Sequence, residues 1–379
     1  MKRALHLFAL MLCQQMSSAQ DSGVQLAQQL INHVQSSELS SWKHLADFLS
    51  AAFDENSSGS DSSATEDQYS SARRKALQWL STDEYAITLS NDANNNNNES
   101  DKKQLQLLQR YALATIYYST SQNGKWNTCD PDTSTPCESD NHRFLSSSNH
   151  LSWEGINGKN GLVIWLDLNT RNLSNHCPSS HDSHTQTTVH YDALPPEMAL
   201  LSPSLELLWL HSNPLLCGRI PSYIGEFSNL QTISVYSTKM SGSIPNSLYN
   251  IEKLTSIRLY RCNFSGLISD DMKKLTNLKW LWIHENEFTG VLPDLGELTL
   301  LEGITLHGNG FAKLESNSSG LCPLLKGSLK YLWVDCEDGS LVKEGDEWAV
   351  VEGKTSCECC TRCFPRDGTV DNSAVAVDS

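Results

Sequence analysis

The amino-acid sequence predicts an α/β fold, a right-handed solenoid (horseshoe) with a parallel sheet on its concave face. Three observations lead to this prediction. A short apolar pattern recurs at a nearly constant interval through the second half of the chain, a Gly-x-x-Pro element follows several copies, and cysteines lie on both sides of the repeated segment. Repeats of this kind bury their apolar faces only by stacking on one another, so they form solenoids.

The recurring pattern is L-x-x-L-x-L-x-x-N-x-L, and its clearest copies begin at residues 205, 230, 254, 278 and 301. The starts are 25, 24, 24 and 23 residues apart, which is the period of leucine-rich repeats. With an earlier copy at 162–173 and a truncated copy at 329–337, about seven repeats can stack. In each L-x-L the two apolar residues point inward and the residue between them points out of the sheet.

The consensus asparagine can hydrogen-bond the backbone of neighbouring repeats where the chain turns. It is present as Asn213, Asn286 and Asn309, whereas other copies carry Thr238, Cys262 or Arg171. Cysteine is an accepted alternative at this position. We therefore expect Cys262 to be a buried structural thiol.

A second element follows the strands: GRIP (218–221), GSIP (242–245), GLIS (266–269) and GVLP (290–293). With it, the chain resembles the extracellular leucine-rich-repeat subfamily that carries L-x-G-x-I-P, which includes plant receptor ectodomains and polygalacturonase-inhibiting proteins. The segments RYALATIYYSTSQNGKWN and LSWEGI resemble the one that opens the repeat domain in this subfamily, and RRKALQWLSTDE followed by LLQRYALATIYYST resembles diatom members in particular. The resemblance covers roughly residues 72–363 and implies a disulfide-capped solenoid, but a repeat fold alone specifies no function.

The predicted organisation has six parts. They are a signal peptide (1–19), a helical and low-complexity N-terminal region (20–103), an N-terminal cap (104–161), the repeats (162–337), a cysteine-rich C-terminal cap (338–363) and a disordered tail (364–379). The signal assignment rests on a basic start, an apolar run too short to span a bilayer and the small residues before the cleavage site. It places the protein outside the cell, without a direct membrane span.

Cysteine usage and glycosylation sequons agree with export. The candidate disulfide cysteines are Cys129, Cys137, Cys177, Cys217, Cys322, Cys336, Cys357, Cys359, Cys360 and Cys363, and the sequon asparagines are Asn56, Asn98, Asn172, Asn263 and Asn317. The final cluster could hold zinc, but disulfides are expected in an exported chain.

Two segments depart from the subfamily pattern. The cysteines expected around the LSWEGI segment are replaced by Leu151 and Gly158, so Cys129 and Cys137 either close the cap differently or pair with each other. An insertion at 176–192 interrupts the first repeat, and its Cys177 could pair with Cys217. The insertion also holds His176, His181, His184 and His190, which suit a polar loop better than a metal site because few carboxylates accompany them.

Composition and motifs exclude several functions. The chain has 28 Lys and Arg against 44 Asp and Glu, so nucleic acid is not an expected partner. No nucleophile elbow, phosphate-binding loop or zinc-protease motif is present, and no enzyme activity, cofactor or metal is predicted.

The outward positions of the strands are the candidate site. They form columns of aromatic, histidine and arginine residues, namely Trp209, His211, Tyr236, Arg258, Tyr260, Trp280, Trp282, His284, His307, Tyr331 and Trp333. These side chains could stiffen the sheet by cross-strand packing or could form a binding surface. A further hypothesis joins His284, His307 and Asp335 in a metal site or a pH-dependent contact.

The predicted function is that of a secreted, glycosylated recognition protein that binds a peptide, protein or glycan on this face. A membrane co-receptor would carry any signal. The alternative is a structural or adhesive component of the cell surface or matrix, and the third is a secreted inhibitor of the polygalacturonase-inhibitor type.

Overall fold

The computed structural model describes residues 68–93, 99–121, 125–132, 134–175, 191–311, 320–335, 341–344, 347–350 and 361–364. The chain divides into two compact units. Unit 1 is Met1–Leu230 with Thr238–Met240, and unit 2 is Gln231–Ser237 with Ser241–Ser379. The predicted signal peptide, the histidines of the insertion and the predicted tail lie outside the described residues.

The described part of unit 1 begins with three helices: α1 (Ser70–Thr82), α2 (Glu84–Ala93) and α3 (Ser100–Thr120). The sequence predicts one helix over ARRKALQWLSTDEYAI (72–87) and one over KQLQLLQRYALATIYYST (103–120). The second is confirmed as α3, the first is divided at Asp83 into α1 and α2, and the predicted boundary at residue 103 falls within α3. Both α1 and α2 pack against α3, because each turns small or aliphatic residues such as Ala76 and Leu89 inward.

A buried ion pair joins these helices. Asp83, between α1 and α2, accepts hydrogen bonds from Arg110 on α3 at 2.7 and 2.8 Å and from the backbone N–H of Ala86 at 2.8 Å. As adjacent acidic residues, Asp83 and Glu84 are predicted from the sequence to be solvated loop charges; for Asp83 this prediction is wrong, because its carboxylate is buried against Arg110.

The first repeat of unit 1 forms β1 (Ile156–Lys159) and β2 (Leu162–Asp167), which pair antiparallel, and β2 pairs in parallel with β3 (Leu207–Trp209). A short strand, β4 (Cys217–Gly218), pairs in parallel with Lys239 and Met240. The residues on either side of the insertion lie close together, because the side chain of Asn175 donates to the carbonyl oxygen of Ala193 and also to that of Cys217.

The N-terminal cap is closed by a disulfide between Cys129 and Cys137, which confirms one of the two predicted alternatives. Arg171 explains why the first repeat lacks the consensus asparagine. Its guanidinium donates to the carbonyl and hydroxyl oxygens of Thr128, each at 3.0 Å, and lies 3.2 Å from Glu154. The position thus ties the first repeat to the cap.

Unit 2 contains two rows of short strands. The bounds are β5 (Thr232–Ser234), β6 (Lys239–Gly242, shared with unit 1), β7 (Ser256–Arg258), β8 (Asn263–Gly266), β9 (Trp280–Trp282), β10 (Glu287–Gly290), β11 (Gly303–Thr305), β12 (Gly310–Phe311), α4 (Leu321–Leu324), β13 (Tyr331–Asp335), β14 (Leu341–Glu344), β15 (Glu347–Val350) and β16 (Arg362–Phe364). The main sheet has the order β5-β7-β9-β11-β13-β16, and the second has the order β6-β8-β10-β12. The predicted leucine-rich-repeat fold is confirmed.

The core of unit 2 follows the L-x-L pattern. The inward residues Ile257, Leu281, Ile304 and Leu332 are fully buried at the same level of four successive strands. Burial of such a side chain stabilises the fold by roughly 1.5–3 kcal/mol. The second row adds Phe264 and Phe288, whose rings stack 6.4 Å apart.

The consensus asparagines bond successive turns together. Asn286 donates to the carbonyl oxygens of Leu259 and Ile283 at 2.9 and 3.1 Å, and it accepts from the backbone N–H of Phe264 at 3.0 Å. Cys262 occupies the same position in the preceding repeat. It is a buried thiol 3.3 Å from the carbonyl oxygen of Val235, as predicted.

Within the part of the chain that the structure describes, no helix combines the length and the apolar character needed to cross a membrane.

Candidate ligand-binding face

The predicted site residues fall in both units. Trp209 and His211 belong to unit 1, where their ring centroids lie 6.0 Å apart. The others belong to unit 2, and the name aromatic face is used here for their outward side: Tyr236, Arg258, Tyr260, Trp280, Trp282, His284, His307, Tyr331 and Trp333.

Strand alternation positions these side chains. In β9 the core residue Leu281 is buried, and its neighbours Trp280 and Trp282 therefore project from the opposite side of the sheet. The parallel register places Trp282 beside Arg258 of β7 and Thr305 of β11. Same-level side chains on adjacent strands stand about 4.8 Å apart, so the columns are close enough for rings to touch.

One column forms a continuous stack, called here the ring row: Tyr236, Tyr260, His284 and His307. Tyr236 and Tyr260 are 4.2 Å apart with 9° between their planes, Tyr260 and His284 are 4.5 Å apart at 10°, and His284 and His307 are 4.5 Å apart at 16°. The inner ring faces cover one another, so the row presents mainly its edges, which carry phenol oxygens and imidazole nitrogens.

Burial keeps His284 neutral. Desolvation, with smaller contributions from His307 and Arg261, lowers the pKa of His284 to about 2. Its Nδ1 lies 2.7 Å from the Thr305 hydroxyl oxygen, which orients the ring and leaves Nε2 as its second hydrogen-bonding atom.

The remaining aromatic residues form the aromatic block: Trp280, Trp282, Tyr331 and Trp333. Trp280 meets Trp282 at 5.9 Å in an edge-to-face arrangement and Tyr331 at 6.2 Å. Gly303 lies between Trp280 and Tyr331 in the register. A Cβ atom at Gly303 would approach Trp280 ring carbons to 2.7 and 2.8 Å, so only glycine leaves room for this ring. Within the block, Trp280, Trp282 and Trp333 are half-buried, and Tyr331 is 40% exposed.

Arg258 contributes a positive charge to the face. Its guanidinium carbon lies 4.6 Å from the centre of the Trp282 ring, a cation–π arrangement, and its Nε donates to the Ser256 hydroxyl oxygen at 3.3 Å. Within the described ranges, no carboxylate lies at ion-pair distance from Arg258, whereas the neighbouring Arg261 is paired with Glu285 at 2.9 Å.

Several outward positions are covered rather than accessible. Ser234, Ser256 and Thr305 are at most 5% exposed. Their short side chains stand beside larger ones, and the contacts of Ser256 with Arg258 and of Thr305 with His284 show how the larger groups close over them. The repeat pattern predicts correctly that these residues face out of the sheet, but it does not predict which larger side chains cover them.

The structure does not group the three residues of the hypothetical metal site, His284, His307 and Asp335, as the sequence suggested. The acidic residue grouped with His284 and His307 is Glu285, with candidate ligand atoms within 4.8 Å of one another, while Asp335 accepts a hydrogen bond from the Gly308 N–H. Two nearly parallel imidazoles direct their lone pairs side by side rather than toward one point, and Glu285 is engaged by Arg261. The geometry therefore favours ring stacking over chelation.

The predicted modification sites are described only in part. Asn263 is exposed on β8 and Asn172 is half-buried, whereas Asn56, Asn98 and Asn317 lie outside the described residues. Cys217 and Cys322 are disulfide-bonded. The placements of Cys177, Cys336, Cys357, Cys359 and Cys360, and of the Cys363 side chain, lie outside the described part of the chain, so the predicted Cys177–Cys217 pairing stays a prediction.

Comparison with known proteins gave matches among solved structures alone; no protein-family model and no curated protein matched the chain. A TDR receptor structure is 33% identical over 38% of this chain and 24% of that chain, with a TM-score of 0.35. The BIR2 ectodomain from Arabidopsis thaliana is 22% identical over 44% and 81%, with a TM-score of 0.37. A plant ice-binding protein is 21% identical over 61% of each chain, with a TM-score of 0.42.

The chain thus spans about a quarter of the TDR receptor structure that it matches. Plant receptor ectodomains are among the structures to which this protein is similar. The leucine-rich-repeat fold itself rests on the strands and asparagine contacts described above, and the similarities assign no ligand or activity to this chain.

Proposed function

We propose that this protein is an extracellular recognition protein that binds a peptide, protein or glycan through the aromatic face of unit 2. One observation carries the proposal: the aromatic block keeps large rings partly exposed on a sheet whose inner side is completely packed. Exposed aromatic clusters of this kind are enriched where partners bind. The rigid sheet would hold them in place before a ligand arrives, which reduces the entropy lost on binding.

The ring row and the aromatic block have different roles in this proposal. Stacking of Tyr236, Tyr260, His284 and His307 accounts for the ring row as cross-strand stiffening. The aromatic block is not explained in this way, because Tyr331 remains 40% exposed and the guanidinium of Arg258 has no carboxylate partner among the described residues. Binding is therefore assigned mainly to the block and to Arg258.

The alternatives make different demands on the same face. A structural or adhesive component needs broad, weak contacts and is expected to show salt-sensitive binding to many surfaces, because the chain carries a formal net charge of −16. A secreted inhibitor needs an enzyme partner, and no feature of the described residues points specifically to an enzyme-binding site. Secretion and glycosylation remain part of the proposal.

The test is a selection experiment on arrays of peptides and glycans with the full secreted chain. We expect a small set of ligands, with binding lost in Trp282→Ala and retained in Trp165→Ala. Trp165 is the matched control, since it is 45% exposed on β2 of unit 1 and lies outside the aromatic face. Broad binding that salt weakens and that neither substitution changes would support the structural alternative instead.

A further inference from the structure

We propose that the ligand of the aromatic face is an oligosaccharide. This inference rests on the function proposed above and names the class of ligand. It follows from what the face offers to a partner: flat rings, hydrogen-bonding groups along ring edges, and an absence of aliphatic side chains.

The outward positions of β5, β7, β9, β11 and β13, together with the next outward-facing position after β5, β7, β9 and β11, carry no Leu, Ile, Val, Met or Ala. They are Thr232, Ser234, Tyr236, Ser256, Arg258, Tyr260, Trp280, Trp282, His284, Gly303, Thr305, His307, Tyr331, Trp333 and Asp335. A peptide that anchors through apolar side chains needs aliphatic pockets to receive them. This face offers none among the described residues.

A sugar ring has two kinds of surface, and the face matches both. The axial C–H groups of a pyranose form an apolar patch that packs flat against an aromatic ring, while the hydroxyl groups around the rim need donors and acceptors. The aromatic block supplies the rings. Trp280 lies over Gly303, and Tyr331 stands beyond it at 6.2 Å, so two broad rings follow each other without an intervening side chain.

The ring row supplies hydrogen-bonding edges beside these rings. His284 is neutral because burial lowers its pKa to about 2, and a neutral imidazole can donate through one nitrogen and accept through the other. With Nδ1 held by Thr305, its Nε2 is the atom available for a hydroxyl group. Stacking with Tyr260 and His307 fixes the ring plane, so the direction of this hydrogen bond is set in advance.

Arg258 completes the set. The Trp282 ring and the Ser256 hydroxyl hold its guanidinium group in place, and its planar array of N–H donors can contact two neighbouring sugar oxygens at once. Because the chain is strongly acidic as a whole, a largely neutral oligosaccharide would meet less repulsion than a polyanion.

The experiment uses the full secreted chain on two printed arrays, one of glycans and one of peptides. The best glycan is then titrated by calorimetry. We expect binding that Trp282→Ala and Arg258→Gln each weaken about tenfold or more, that Trp282→Phe partly retains, and that Trp165→Ala leaves unchanged. Saturation-transfer NMR on the same complex should show the strongest transfer to the C–H protons of one sugar face.

The outcomes separate this inference from the proposed function. Peptide binding that depends on Trp282, with no glycan bound, would overturn the oligosaccharide inference and leave the recognition function standing. Glycan binding that survives Trp282→Ala and Arg258→Gln would also overturn it, because the sugar would lie elsewhere. Binding to neither array would overturn both. Circular dichroism of each variant verifies that loss of binding is not loss of folding.

Discussion

Gly303 controls the position of the Trp280 ring. A Cβ atom at this position would lie 2.7 Å from a ring carbon, which is closer than packed side chains allow, so Gly303→Ala must push the ring aside. We expect ligand affinity to fall about tenfold with little loss of thermal stability. A double-mutant cycle checks the cause: in a Trp280→Ala background the Gly303→Ala change should have no further effect, and an additive loss would contradict this role.

The asparagine contacts should have a measurable effect on stability. Asn286→Ala removes two donated hydrogen bonds and leaves the buried N–H of Phe264 without its acceptor. We expect the free energy of unfolding to decrease by about 2–4 kcal/mol in urea titrations. Asn277→Ala is the control, because Asn277 is exposed and donates one bond to the Glu252 carbonyl; equal effects of the two changes would be evidence against the contact network.

At the scale of single residues, the sequence predicted whether a side chain faces into or out of the sheet better than it predicted which side chains that residue contacts. The L-x-L pattern correctly placed Leu281 inward and Trp282 outward. It could not show that the His284 ring stacks between the rings of Tyr260 and His307. The spacing of the strands determines which residues are neighbours but not how their rings are oriented. The role of Gly303 was not predicted either. The repeat alignment places Gly303 beside Trp280 on the adjacent strand, so the sequence alone could have indicated that this glycine makes room for the ring.

Among the helices, Arg110 is the central contact of the N-terminal assembly. It pairs with Asp83, donates to the carbonyl oxygens of Ser146 and Ser148, and lies 4.6 Å from the Trp153 ring. Replacing it with leucine would leave a buried, unpaired carboxylate. We expect Arg110→Leu to reduce the free energy of unfolding by about 3–5 kcal/mol.

Chemical denaturation followed by circular dichroism tests this, with Lys102→Met as the control on the exposed side of the same helix. A loss below about 1 kcal/mol for Arg110→Leu would mean that the pair stabilises no more than a surface ion pair does.

His150 should make the same assembly sensitive to acid. The ring is fully buried against Tyr85 and Trp153, and burial, with a smaller contribution from Arg110, lowers its pKa from 6.5 to about 3. The unfolded chain therefore takes up a proton that the folded chain excludes, so stability is greatest above about pH 6.5 and decreases toward pH 3. The slope is about 1.4 kcal/mol per pH unit.

His150→Phe should flatten this dependence when unfolding is measured at pH 7 and pH 5, because a phenyl ring takes up no proton. A slope that is the same in His150→Phe and in the unsubstituted protein would show that His150 is not the responsible group.

At the scale of elements, helical periodicity predicted α3 and a single helix where the structure has α1 and α2. The L-x-L repeat predicted the strands of the main sheet, but the second row, β6, β8, β10 and β12, lies where the sequence suggested turns. The sequence also missed the association of the helices. The pairing of Asp83 with Arg110 and the contact of Arg171 with Thr128 join residues far apart in sequence. Such pairs produce no periodic pattern in the sequence, because each partner by itself resembles an ordinary polar residue of the surface.

In the whole molecule, the residues that stabilise the fold are different from the residues proposed to contact a ligand. Inward aliphatic residues and asparagines form the repeats, while the outward positions of the main-sheet strands β5, β7, β9, β11 and β13 carry rings and polar groups and no aliphatic residue. The repeat period predicted the fold because stacking requires it. The same period says nothing about the ligand, because outward positions are free to vary without affecting the stack.

The most direct test of the central claim is an NMR titration of the indole N–H resonances of the chain's 10 tryptophans with a ligand selected on the arrays. The account predicts that the resonances of Trp280, Trp282 and Trp333 shift, while those of the buried Trp126 and Trp153 do not. Shifts confined to tryptophans outside the aromatic face, with Trp280, Trp282 and Trp333 unchanged at saturation, would contradict it.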